Sequence, residues 1–188
     1  ASDTTLRVLS QGTINGVISG AHSFTKEGGA ELTLGGANVF SGSLIVGEGV
    51  LKLNGGAAVA DATAVRVNDG ATLRLGESEA VADLSGGGGV DLQSYRLTLS
   101  GGDVGRVFAG SLSGAGSLWM TGSGEQTLSG ASSFSGGLYV LAGTLRLGVD
   151  NALLSSGSVI VSGGELALGT SVQTIGVLQL TGGLISGG

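Results

Sequence analysis

A single histidine, His22, occurs in the whole chain, so any Ser-His-Asp relay would have to run through it. It sits in a Gly-Ala-His-Ser turn, and no Gly-x-Ser-x-Gly elbow is present. A solvent-exposed turn residue is the expected role. Carboxylates offer a second chemistry, since Glu31, Glu125, Asp61, Asp69 and Asp103 are of the type that cleaves glycosidic bonds in pairs. Glu31 and Glu125 are equivalent positions of an internal repeat, however, and a catalytic pair is normally one constellation. For metals, Gly86-Gly87-Gly88-Gly89-Val90-Asp91 fits the start of a calcium-binding nonapeptide, but Gln93 fills its apolar slot and no tandem copy follows to complete an oxygen shell. Glu77, Glu79 and Asp83 read as a solvated acidic loop. Zinc lacks both Cys and sufficient His. The sequence therefore assigns no catalytic, cofactor-binding or metal-ligating residue and leaves partner-binding residues unknown. The expected protein is not an enzyme, needs no cofactor and has no small-molecule substrate.

These residues are carried by a chain of 188 residues with 40 Gly, no Pro, no Cys, 12% charged residues and 41% hydrophobic ones. Glycine at roughly three times ordinary usage, costing about 1 kcal/mol per residue in a helix interior, excludes a mainly helical fold. Leu, Val and Ile recur throughout, so the chain has the apolar surface to offset its ordering entropy and is not a Gly-rich linker. Without Pro or a third-residue glycine period it is not collagen. A net charge of -6 and a pI near 4.5 give no footprint for nucleic acid. No run approaches the roughly 20 apolar residues of a membrane helix, and 4% aromatics with very short apolar bursts do not suit a membrane barrel. The chain opens at Ala1, so any export signal is expected to have been removed or to lie outside it.

Apolar residues recur two apart in short bursts: Leu32 and Leu34, Leu51 and Leu53, Leu73 and Leu75, Leu97 and Leu99, Leu145 and Leu147. Polar residues such as Lys52, Arg74 and Arg146 stand between them, and Gly, Ser, Asn or Asp ends each burst, so these are strands with one buried face. An offset of 94 lays Ile18–Leu53 over Leu112–Leu147 without a gap, with 18 identities in 36 positions. The chain is thus predicted to be two super-repeats, 1–94 and 95–188, within a single segment 1–188 of a larger rod. A finer spacing of about 19 to 24 residues between bursts is a coil repeat. Strands of three to five residues pair most readily with the next coil, which stacks like residues in register. The fold class predicted is all-β, a right-handed parallel β-helix of about nine coils, roughly 40 Å long at the usual strand spacing. Phe40 and Phe134 are expected to plug the core beside a corner. Trp119 and Met120, standing where the first copy has Thr25 and Lys26, read as an added core or coil-edge contact, against the alternative of an exposed apolar anchor. Tyr139 reads as an outward strand residue.

The segment Leu32 to Leu53, Leu-Thr-Leu-Gly-Gly-Ala-Asn-Val-Phe-Ser-Gly-Ser-Leu-Ile-Val-Gly-Glu-Gly-Val-Leu-Lys-Leu, resembles the passenger-associated transport repeat of bacterial autotransporters, and Thr127 to Leu147 matches equally. Ser132 replaces the family's usual Asn in the second copy; its Gly-Thr-Leu step is intact at Gly143-Thr144-Leu145 and reads Gly49-Val50-Leu51 in the first. Gln173-Thr174-Ile175-Gly176 resembles the linker that commonly follows such a repeat. The resemblance implies a type V secretion passenger, exported through the outer membrane to the bacterial surface or the medium. It implies a non-enzymatic stalk that folds outside the cell, supports export and presents an adhesin or effector region. Its partners would be the precursor's own C-terminal outer-membrane translocator barrel and a host surface or matrix protein. Two alternatives remain: the stem of an autotransporter protease whose catalytic domain lies elsewhere, and a direct host-cell adhesin.

Overall fold

The computed structural model describes residues 2–103, 105–154 and 156–187. Every strand pairing among them is parallel, with partners 17 residues apart at the shortest (Thr72 and Gly89) and 22 at the longest (Val50 and Thr72). Those separations are single turns of a coil, and the chain winds as a parallel β-helix of about nine coils with no helix among the described residues. Right-handed winding is the sense that parallel crossovers favour.

Up to three flanks follow one another in a coil, and flank two carries no strand beyond Ser111–Ser113 among the described residues. Flank one consists of Thr4–Arg7, Phe24–Glu27, Leu44–Val46, Ala64–Val67 and Asp83–Ser85, continued by Arg106–Phe108, Glu125–Leu128, Thr144–Leu147, Glu165–Ala167 and Leu184–Ser186. Flank two stacks Gly12–Ile14, Glu31–Leu34, Val50–Leu53, Thr72–Leu75, Gly89–Asp91 and Ser111–Ser113. Flank three begins with Ser19–Gly20 and Val39–Phe40 and resumes with Glu79–Val81, Arg96–Leu99, Ser117–Met120, Leu138–Val140, Ser158–Val161 and Val177–Leu180.

Alternation turns one residue in two inward, and the parallel register stacks those residues into ranks. Leu32, Leu51, Leu73, Val90 and Leu112 form one rank on flank two, all buried. Leu97, Leu118, Leu138 and Val159 form another on flank three. The spacing alone suggests that Leu97 and Leu99 continue the rank of Leu73 and Leu75; instead they lie on flank three, because Val90 fills the flank-two place next to Leu73, one flank ahead of them in the same coil. Each buried aliphatic side chain contributes roughly 1.5–3 kcal/mol, and a lone coil carries too few to offset its ordering, so coils stabilise one another. Phe40 and Phe134 are both in the core as expected, with Phe40 packed 6.0 Å from Phe24.

The two copies of the sequence repeat do not fall on the same flanks. Leu44–Val46 lies on flank one, and its counterpart Leu138–Val140 on flank three; Val50–Leu53 lies on flank two, and its counterpart Thr144–Leu147 on flank one. The local geometry is nevertheless copied. Gly49 and Gly143 turn the same corner with φ of 65° and 64°, and a Cβ on either would lie 2.6 or 2.4 Å from the carbonyl oxygen of Gly28 or Gly122 in the coil below. Gly28 and Gly122 are themselves counterparts. Only glycine combines that φ with that approach.

Candidate functional site

Backbone ladders are interrupted at two places, and side chains take over there. On flank one, between Asp83–Ser85 and Arg106–Phe108, a single bridge from Gly86 to Phe108 survives. Gln126, buried one coil further on, reaches back across the gap: its Oε1 accepts from the Leu84 N–H at 3.0 Å and its Nε2 donates to the Leu84 carbonyl at 3.0 Å. A side-chain amide thereby does for Leu84 what a neighbouring strand does elsewhere. Its counterpart in the first copy, Leu32, lies in an unbroken ladder and needs no amide.

On flank three no strand forms between Val39–Phe40 and Glu79–Val81. Buried Asn38 spans three coils there, accepting from the Ile18 N–H at 2.7 Å and donating to the Ala58 carbonyl at 2.6 Å. Its counterpart Ser132 keeps the accepting half, from the Leu112 N–H at 3.2 Å. Glu79 completes the patch by accepting from the Ala58 N–H at 2.9 Å. Burial pushes the Glu79 carboxyl up to about 7, against the downward pull of the Ala58 and Val59 N–H groups, and nearby Asp61 raises it further. The acidic loop expected at Glu77, Glu79 and Asp83 is thus corrected: Glu77 is exposed, whereas Glu79 and Asp83 are 4% and 6% exposed, because both cover ladder gaps.

A notch of about 430 Å³ opens between the two breaks, walled by Asp61, Asp83, Ser100 and Asp103 over a floor of alanines and glycines. The Ser100 hydroxyl donates to the Asp61 carbonyl at 2.8 Å and holds one wall to the other. Arg106 places Nε 3.4 Å from Asp83 Oδ2 and Nη2 2.8 Å from Asp103 Oδ2. Asp83 Oδ1 has no hydrogen-bond partner among the described residues. Burial holds this carboxyl above the ordinary aspartate range; Arg106 offsets part of the effect and Asp103 adds to it. Three carboxylates against one guanidinium make the notch an acceptor-rich, electronegative recess.

Of the carboxylates singled out from sequence, Asp61 and Asp103 meet here and the others do not. Glu31 is paired with Arg74 at 2.6 Å on flank two, and Glu125 with Arg146 at 3.1 Å on flank one. Asp69 lies in an exposed turn, and Asp91 is engaged by Arg74 at 3.3 Å and by Gln93. No group of three metal-ligating side chains converges among the described residues. His22 is half-buried rather than exposed, with Nδ1 enclosed and unpartnered, and no serine or aspartate side chain among the described residues hydrogen-bonds to it. Asp83 was missed as a partner of Asp61 and Asp103, although 61, 83 and 103 are each about one coil apart. Trp119 makes the coil-edge contact: it stacks on Tyr139 at 4.4 Å with Arg96 5.1 Å from its ring centre. Met120 is in the core, in the slot that buried Lys26 fills in the first copy with its ammonium donating to the Glu48 carbonyl at 2.7 Å.

Comparison with known proteins gives two findings. The passenger-associated transport repeat family matches residues 24–53 and 120–147. The chain is 33% identical over 145 residues, 75% of its length, to the adhesin BmaC autotransporter of Brucella suis biovar 1 (strain 1330), and spans 4% of that protein. No solved structure matches the chain.

Proposed function

Because this chain is a segment of an autotransporter passenger with transport repeats, of the kind carried through the outer membrane to the cell surface or beyond, we propose that it works as a β-helical stalk. The stalk is non-enzymatic: it holds an adhesive or effector region away from the cell and helps its own export by folding outside. The observation that carries this reading is the single core of aliphatic side chains stacked coil on coil from Val8 to Leu166. A coil that emerges finds a stacking surface already made, buries its aliphatic side chains there and is held from sliding back. The precursor's translocator barrel is the partner in that step. Absence of Cys suits the route, since no disulfide can close before passage, and absence of Pro removes slow peptide isomerisation.

The test places Asp at Phe40 and Phe134 together in the full-length precursor. Surface display and resistance to added protease should be lost; unchanged secretion of the double variant would refute the export role. Direct adhesion is the second reading, favoured by the relative's name and by the notch on the rod's side. Binding of the purified chain to host cells or matrix supports it.

A further inference from the structure

We propose that residues 55–63 form a pH-sensitive strap across flank three, closed in acid and opening locally as the medium turns alkaline, with the Glu79 carboxyl as its latch. The strap crosses the stretch where flank three has no strand, between Val39–Phe40 and Glu79–Val81. Most of it is exposed; Ala58, Val59 and Thr63 are its buried residues. Ala58 is the pin. Its N–H donates upward to Glu79 Oε2 at 2.9 Å, and its carbonyl accepts from Asn38 Nδ2 in the coil below at 2.6 Å. Two further bonds tie down the far end: the Ser100 hydroxyl donates to the Asp61 carbonyl at 2.8 Å, and the Ala82 N–H to the Thr63 carbonyl at 2.9 Å. An exposed stretch held by side chains instead of ladders opens at a lower free energy than the whole molecule unfolds.

Ionisation is what the latch tolerates least. Glu79 heads an otherwise aliphatic rank, in register with Leu97 and, beyond it, Leu118, Leu138 and Val159. Its Oε1 is enclosed and has no hydrogen-bond partner among the described residues. A negative charge strengthens the single bond from Ala58, but it also leaves a desolvated anionic oxygen without a donor, which is the larger cost. The charged groups around Glu79 give no relief. Asp61, in the strap itself, repels the charge. Glu77, just ahead on the same chain, lies against Gly56 of the strap. Arg96, at the start of the paired strand, is turned onto Trp119, and Asp83, past the end of Glu79's own strand, is held by Arg106. Burial therefore raises the carboxyl to about 7, against the pull of the Ala58, Val59 and Ala80 N–H groups. Once the strap lifts, the carboxyl meets water and returns toward its ordinary value of 4.5. The closed form thus binds the proton more tightly than the open form. Closure is fully favoured below the ordinary value and weakens as pH climbs through the raised one, so the opening equilibrium grows by up to about seventyfold between pH 5 and 8.

This device goes beyond the stalk reading and does not depend on it. Hydrogen exchange of the purified full chain, followed amide by amide by NMR between pH 5 and 8, tests it. After division by the rate of an unstructured chain at each pH, protection of the Ala58 amide should fall by up to about seventyfold across that range. Leu73 and Leu118, in complete ladders, should keep theirs. Glu79→Gln, neutral at every pH, should hold Ala58 at a constant level. Three results overturn the strap: Ala58 protection that does not change with pH in the wild type, an equal fall at Leu73 and Leu118, which makes the opening global, or a Gln variant that falls as the wild type does, which puts the titrating group elsewhere. The first two are read from the wild type alone, so they decide the matter even if the variant does not fold.

Discussion

Replacing Glu79 with Gln keeps the side chain's shape and its acceptor for the Ala58 N–H, 2.9 Å away, but removes the ionisable proton. The native carboxyl is held at about 7 against an ordinary value of 4.5, so the folded state binds this proton more tightly than the unfolded state does. Stability from this group is therefore intact below pH 4.5 and falls as pH rises through the native value. At about 1.4 kcal/mol per pH unit, the loss is roughly 3 kcal/mol by pH 8. The Gln variant should match the wild type near pH 4 and exceed it by up to that amount at pH 8. Guanidinium melts followed by far-UV circular dichroism at half-unit steps from pH 4 to 8.5 read the difference directly. Asp83 is also raised by burial, but it is common to both chains and cancels in the comparison. Two stability curves that stay parallel across the range, or a variant weaker at pH 8, would show that Glu79 does not carry a buried charge.

Gln126→Leu copies the residue at the equivalent place in the first repeat, yet it leaves the N–H and carbonyl of Leu84 unpaired. A loss of roughly 2–4 kcal/mol is expected, measured by chemical denaturation. Leu32→Gln should be destabilising for the opposite reason, an amide buried where the ladder is complete. Gly49→Ala and Gly143→Ala should each destabilise by more than 1 kcal/mol and by similar amounts, because the corner is the same in both copies; a large inequality in thermal melts would contradict that equivalence.

The strand period, the coil length and the in-register ranks can all be read from the sequence because each depends on local alternation and on the distance round one turn. Phe40, Phe134 and Tyr139 take their expected places for that reason. The ladder gaps could not be read. Gln126 looks like an outlier at a leucine position, and only the missing strand beside Leu84 gives it a purpose. Lys26 is illegible for a similar reason: its charge gives no sign of burial, yet its stem packs where Met120 does and its ammonium is held by backbone carbonyls. The notch is half visible in the sequence, as Asp61 and Asp103; Asp83 reads as part of an open loop because charge alone does not reveal which carboxylate sits behind an arginine.

The repeat is about a third of a turn short of a whole number of coils, as the shift from Leu44–Val46 on flank one to Leu138–Val140 on flank three shows. A tandem array of such units would carry any decoration around the rod like the stripe on a barber's pole, coming back to its starting azimuth after every third unit. Neighbouring copies of one adhesive motif would then look in directions about 120° apart, so a bacterium need not be oriented for one of them to meet a surface.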